Sequence, residues 1–270
     1  MNAQPAMRAG GERVVRSGPF EWVSRAGFVA RGVVYVTVGI LAIKLALGSG
    51  SRNANQIGAL RAIAGQPFGK VLLILIAVGL GGYALWRLVR AALGHGPEGS
   101  DRGIDRVAAL ASGIVYTGLC VIAIEVLRGG GGSGSAKKPA AGILGWPAGP
   151  WLVGIAGVVF AGIGLYQGYR GISTEFLDDS KSEEMSPGVR TAITWLGIFG
   201  YLARMVVFTL IGIFLVRAAV EYDPKKAVGL DGALATIDHA SYGPYLLGVV
   251  ATGLIAFGVY SLADARYRRI

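Results

Sequence analysis

The sequence predicts an all-α integral membrane protein of six transmembrane helices, built as three tandem helical hairpins in a pseudo-threefold arrangement. Three observations carry that prediction. The chain has a mean hydropathy of +0.55 and only 16% charged residues, against about 25% in soluble domains. It contains six apolar runs of membrane-crossing length. The runs come in pairs that repeat along the chain.

Crossing about 30 Å of hydrocarbon at about 1.5 Å per residue takes about 20 mostly apolar residues. Such runs lie near 28–48, 70–93, 107–127, 150–172, 193–219 and 244–263. None alternates with the two-residue period of a barrel strand, so each is read as a helix. Glycine reaches 44 of 270 residues, more than twice the usual share of about 7%, and much of the excess falls inside the apolar runs. Between helices in lipid there is little hydrophobic force, and small residues hold them together by letting backbones approach. The single cysteine, Cys120, excludes an intrachain disulfide and reads as a small core residue.

The internal repeat is the most informative feature. Gly27-Phe28-Val29-Ala30-Arg31 matches Gly200-Tyr201-Leu202-Ala203-Arg204 at an offset of 173. Gly58-Ala59-Leu60 matches Gly232-Ala233-Leu234 at 174, as Gly69 does Gly243 and Gly79 does Gly253. The middle copy aligns at 81 and then 80: Tyr35 with Tyr116, Ala42-Ile43 with Ala123-Ile124, Pro67 with Pro147, Gly82 with Gly162, and Arg90 with Arg170. The chain therefore divides into a polar arm (1–19), repeats at 20–94, 101–172 and 193–263, and a basic tail (264–270). Two spans per copy return the chain to its starting side, so the copies share one orientation, which argues for a pseudo-threefold axis along the membrane normal. The small residues at Gly82, Gly162 and Ala256 are expected to face neighbouring helices. Within copies one and three the connecting loop holds a short amphipathic stretch, at 57–64 and 230–237, read as a surface helix. Copy two has the glycine- and serine-rich segment from Gly129 to Ser135 instead, read as a flexible linker.

A net charge of +10 would suggest nucleic acid in a soluble protein. Here the basic residues gather at the ends of apolar runs, where anionic lipid headgroups are the simpler partner. Lys and Arg number 16 on the side of the termini and the inter-copy loops, and 10 on the side of the loops inside copies. That bias places both termini in the cytoplasm. Residues 1–19 carry Arg8, Arg13 and Arg16 without a short apolar core and cleavage site, so the first span is expected to remain as an uncleaved anchor.

Gly27-Phe28-Val29-Ala30-Arg31 opens one span, Gln66-Pro67-Phe68-Gly69 opens the next, and Gly82-Tyr83-Ala84-Leu85-Trp86-Arg87 lies inside it. In these motifs the chain resembles the bacterial membrane family called domain of unknown function 1206, over nearly its whole length. The resemblance implies three copies of the hairpin and a multi-pass location in the bacterial inner (plasma) membrane, and it carries no activity. Copy two departs from the motifs: Ser112 stands at the arginine position, and Trp146-Pro147-Ala148-Gly149 replaces Gln-Pro-Phe-Gly.

No catalytic constellation emerges. His95 and His239 both lie in loops, which argues against a haem held inside the spans, and together with Cys120 they make no zinc spacing. There is no nucleophile elbow, metalloprotease motif or phosphate loop. Gly79-Leu80-Gly81-Gly82 lacks the strand-turn-helix context of a dinucleotide site and reads as close helix packing. No catalytic, cofactor-binding or metal-ligating residue is assigned, and no cofactor is expected.

The candidate functional or structural residues are charges in the spans, because an ionisable group at the centre of a span costs several kcal/mol. Arg31 and Arg204 fall in the first turns of their predicted spans, where a long side chain reaches the headgroups. Lys44, Glu125 and Arg217 share one repeat position near the opposite ends and are expected to form a cluster at the outer end of the axis. Trp86, Tyr166 and Tyr260 are equivalent and read as an interfacial belt. Asp264, Arg266, Arg268 and Arg269 read as a solvated tail that meets anionic lipid.

The leading functional expectation is a non-enzymatic scaffold, accessory subunit or lipid-organising component, with a membrane protein partner a possibility. The alternative is a channel or transporter for an ion or small polar solute along the axis, for which Thr37, Thr117 and Thr209 are the mid-span polar candidates. A membrane enzyme is the least supported, resting on the adjacent loop residues Asp238 and His239.

Overall fold

A computed structural model describes residues 18–49, 54–93, 103–129 and 144–268. Most of the N-terminal arm, His95, the copy-two linker beyond Gly129 and the last two residues lie outside that set. The described residues form eight α-helices: α1 (Gly18–Ala46), α2 (Gln56–Ala64), α3 (Gly69–Leu93), α4 (Gly103–Leu127), α5 (Gly149–Ile172), α6 (Pro187–Val220), α7 (Leu230–Asp238) and α8 (Gly243–Tyr267). All but α2 and α7 are long and apolar enough to cross a membrane. The protein is thus a multi-pass, all-α membrane protein of three tandem hairpins, with the two short helices in the loops where the amphipathic stretches predict them.

Local chemistry sets the boundaries. Asn55 starts α2 by accepting a hydrogen bond on Oδ1 from the Gly58 amide at 2.7 Å, the usual satisfaction of an orphan helix donor. The repeated Gly-Ala-Leu motif then buries Ala59, Leu60, Ala233 and Leu234 completely. The turns into α3 and α8 share an unusual backbone: Phe68 and Tyr242 sit at φ 61° and 60°, a left-handed conformation that costs non-glycine residues energy. The glycines that follow are required by space, because a Cβ on Gly69 would meet the carbonyl oxygens of Ile63 and Ala64, and one on Gly243 those of Ile237 and Asp238. Both strained aromatics are exposed, at 86% and 81%, and with Trp146, Trp151 and Tyr245 they set exposed rings at the intra-copy loop ends of the second helices, where amphipathic rings suit the interface, as Trp22, Tyr169 and Trp195 do at the opposite ends.

Several helices outrun their apolar stretches, α6 and α8 among them. α6 starts at Pro187, where the missing amide is harmless, and its polar first turns are helical with the Thr191 and Thr194 hydroxyls donating to the carbonyls of Pro187 and Arg190 at 3.0 and 2.8 Å. α8 runs on to Tyr267 through Asp264, so the predicted solvated tail is largely helix.

The chain separates into two compact units, one comprising Met1–Val33, Ile63–Gly132 and Ser261–Ile270, the other Val34–Ala62 and Ser133–Tyr260. In the first unit, α1 and α3 touch at backbone distance: a Cβ on Gly27 would lie 2.8 Å from the Gly79 oxygen, and one on Gly79 would lie 2.7 Å from the Ala26 oxygen. α4 packs on α3 with Gly113 against Leu88, and the Cys120 thiol donates to the Ala77 carbonyl at 3.3 Å. In the second unit, α6 meets α8 at the equivalent glycines, Gly200 against Phe257 and Gly253 against Ala203. α5 meets α6 along a glycine face: Gly157 on Gly212, Gly164 on Thr209, Gly168 on Met205 and Gly171 on Tyr201.

Gly162 departs from its expected place. It is exposed, and a Cβ there would meet nothing within 4 Å. The contact face of α5 is the one carrying Gly157, Gly164 and Gly168, so Gly162 points elsewhere although its counterparts Gly82 and Ala256 are buried.

Candidate functional site

The most concentrated polar chemistry lies in the first unit, where α1, α3 and the end of α8 meet. Arg31 is only 4% exposed and donates through every part of its guanidinium: Nε to Ser261 Oγ at 3.0 Å, Nη1 to the Tyr83 hydroxyl at 2.5 Å, and Nη2 to Asp264 Oδ2 at 3.0 Å. The rings of Phe28 and Tyr83 cover it at 4.9 Å each. Asp264 is 2% exposed and the same oxygen takes a second guanidinium, Arg268 Nη1, at 3.4 Å. The Tyr83 hydroxyl likewise accepts a second donor, Arg87 Nε, at 3.0 Å. Arg87, Arg90 and Arg268 all lie over Trp86, at 5.2, 4.8 and 5.6 Å. Arg25 closes the end of α8 by donating to the carbonyl oxygens of Ala265 and Arg266 at 2.5 and 2.8 Å, satisfying two of the orphan acceptors of a helix C-terminus.

This overturns two expectations. Arg31 does not snorkel: it is buried and paired. Asp264 and Arg268 are not a solvated tail, because the carboxylate completes the Arg31 pocket. A buried pair of this kind is held by its extra hydrogen bonds, and loss of one partner leaves an uncompensated charge.

Arg204, the counterpart of Arg31, lies in the second unit in different surroundings. It is half-buried, and its guanidinium carbon sits over Phe257, Phe208 and Tyr35 at 4.3, 5.1 and 5.4 Å. Its Nε is buried and has no hydrogen-bond partner. Nor is it near the start of its helix. α6 has 34 residues, about 51 Å at 1.5 Å per residue, and Arg204 stands midway along it. Nearby, Tyr201, Phe257 and Tyr260 form an aromatic cluster with Phe176, which the 3-10 turn Glu175–Leu177 inserts between them.

The expected cluster of Lys44, Glu125 and Arg217 is not formed. All three are exposed; Arg217 turns to Glu221 one helical turn away at 3.6 Å, and Lys44 and Glu125 have no ion pair among the described residues. At exposed helix ends each charge is solvated separately, and nothing draws the three together. The predicted belt is corrected too: Trp86 and Tyr260 are buried in the aromatic clusters, and exposed rings occur at both ends of the helices, Trp22, Tyr169 and Trp195 among them. Thr117 donates to its own helix at the Gly113 carbonyl (2.8 Å), while the buried Thr209 hydroxyl has no partner. A groove of about 650 Å³ in the second unit, between Ile43, Leu47, Phe199, Tyr245 and Val249, is apolar, and its Thr252 hydroxyl is spent on the Gly248 carbonyl at 2.8 Å. No group of His, Cys, Asp and Glu that could hold a metal occurs among the described residues, and His239 is exposed at the end of α7.

The family model described as Domain of Unknown Function (DUF1206) matches this chain three times, at residues 26–94, 107–174 and 199–268. The chain belongs to this family. Its three matches coincide with the three hairpins, so one copy of DUF1206 is one helix pair with its connecting loop. The chain is also similar to an uncharacterised protein of Bacillus subtilis (strain 168), YxxB, with 32% identity over 257 residues and 92% of each chain covered. No solved structure matches. Within this DUF1206 chain, Ser112 stands where copies one and three carry the buried or half-buried arginine, so the copies share a scaffold and differ at the polar position.

Proposed function

We propose that this protein is a non-enzymatic component of the bacterial inner (plasma) membrane, acting as a scaffold, accessory subunit or lipid-organising element, with both termini in the cytoplasm. One observation carries the reading: the charges buried in the first unit are committed to each other. Arg31 and Asp264 join α1 to α8 at 3.0 Å, and the remaining donors of Arg31 are met by Ser261 and Tyr83. A guanidinium held by three acceptors and two ring faces is a staple between helices, poorly suited to exchanging partners with a passing ion. The backbone-distance contacts at Gly27, Gly79, Gly200 and Gly253 support the same reading, since they leave little room between helices.

The test is purification from native membranes in mild detergent together with flux measurements. A stoichiometric protein partner or retained anionic lipid is expected, and proteoliposomes containing the protein should pass ions and small polar solutes no faster than empty ones. Selective flux would replace the scaffold with the transport reading. Orientation is tested separately in a Cys120→Ala background: an impermeant thiol reagent applied to intact cells should label Lys225→Cys and leave Glu183→Cys unlabelled, and the reverse pattern would invert the topology.

A further inference from the structure

Arg31 and Arg204 hold the same position of the repeat, and the residues that could supply acceptors to each can be compared by register. Arg31 bonds to Tyr83 of its own copy and to Ser261 and Asp264 of α8. For Arg204 the matching residue of its own copy is Phe257, which has no hydroxyl. α6 is flanked by α5 across the glycine face, and there the counterparts of Ser261 and Asp264 are Gln167 and Arg170. Arg170 is a cation, already paired with Asp179 at 2.9 Å. Gln167 is 7% exposed, and its Oε1 has no hydrogen-bond partner, so it does not bond to Arg204. Copy three thus keeps the guanidinium and lacks each of the three acceptors that serve Arg31.

The geometry leaves one kind of contact open. Phe257, Phe208 and Tyr35 bring their ring centroids to 4.3, 5.1 and 5.4 Å from the guanidinium carbon, and rings attract the cation without offering its N–H groups the lone-pair acceptors that Arg31 has. The two terminal nitrogens match two oxygens of a phosphate, while the buried Nε is closed to a ligand from outside. Depth fits as well. The exposed Arg217 marks one end of the apolar stretch of α6, and Arg204 lies thirteen residues before it, about 20 Å along the helix. In hydrocarbon about 30 Å thick that leaves Arg204 about 10 Å inside the opposite boundary, a distance that a long arginine side chain and an inward-drawn headgroup bridge between them.

We propose that Arg204, backed by Tyr35, Phe208 and Phe257, is a binding site for a phosphate oxyanion, presented by an anionic phospholipid or by free phosphate. With a phospholipid as ligand the site rests on the lipid-organising form of the scaffold reading; with free phosphate it stands apart from it. In copy one the equivalent position is filled internally by Asp264; in copy three the anion comes from outside the chain.

The full-length protein in neutral detergent is titrated with phosphatidylglycerol, phosphatidylcholine and inorganic phosphate, and the melting midpoint is followed. Phosphatidylglycerol should raise the midpoint by several degrees and phosphatidylcholine should not, with at least half of the rise lost in Arg204→Gln. If inorganic phosphate produces the same Arg204-dependent rise, the ligand is the free oxyanion; if it does not, the ligand is the lipid. Phe257→Tyr restores the hydroxyl found in copy one and should shrink the rise by giving Arg204 an internal acceptor, and this variant decides the matter should Arg204→Gln fail to fold. Equal rises in the wild type and in each variant that folds would overturn the site.

Discussion

Arg31 and Arg204 occupy one repeat position in two copies of the same hairpin and meet opposite surroundings. Around Arg31 stand a carboxylate, two hydroxyls and two rings; around Arg204 stand three rings and, among the described residues, no acceptor. The helix contacts beside them are alike, with Gly27 and Gly79 in one copy answered by Gly200 and Gly253 in the other. Duplication therefore preserved the backbone approach, which tolerates almost no change, while the polar neighbours diverged. What a buried arginine does in this fold is decided by three positions on the adjoining second helices.

The largest expected effect is on the copy-one pocket. Asp264→Asn leaves Arg31 and Arg268 facing each other in a buried space, and should cost about 3–5 kcal/mol of stability in detergent. Arg204→Gln, measured in the same thermal or denaturant titration, should cost about 1–2 kcal/mol, the worth of its ring contacts. Equal losses would erase the distinction between the two pockets. Next comes the shared glycine contact. Gly79→Ala places a Cβ against the Ala26 carbonyl, a backbone atom that cannot swing aside, for a loss of about 1–3 kcal/mol. Gly162→Ala meets open space and should stay within about 0.5 kcal/mol of wild type.

Smaller effects sharpen the comparison further. Phe257→Tyr should stabilise the protein by about 1 kcal/mol if its hydroxyl reaches the unpartnered Arg204 Nε, and a loss would show that the box is already full. Glu221→Gln removes the partner of both Arg217 and Lys226 and should change stability by less than about 1 kcal/mol, which checks that pairs at this end of the helices are screened by solvent.

The hairpins were legible in the sequence because their signals are local: apolar runs of fixed length, and short motifs recurring at 173 and 174 residues. The surface helices were legible for the same reason. The copy-one pocket was not, because Arg31 and Asp264 lie 233 residues apart, and because Asp264 is followed by Arg266, Arg268 and Arg269 in what reads as a soluble tail. One signal was present in the register: Asp264 stands where copies one and two carry Arg90 and Arg170, a reversal of charge at a repeated position. The alignment of Gly162 with Gly82 fixes the residue and not the face it presents. Lys44, Glu125 and Arg217 share a repeat position and hence a height, and height does not bring exposed side chains together.

The central claim, that Arg31 and Asp264 form a buried staple between the first and last helices, is tested most directly by a double-mutant cycle with Arg31→Gln and Asp264→Asn, read as unfolding free energy in detergent. Each single change should be strongly destabilising, and the double variant should lose less than their sum, with a coupling of about 2–3 kcal/mol. Losses that add to within about 0.5 kcal/mol would contradict it, and would mean that the two side chains are stabilised separately.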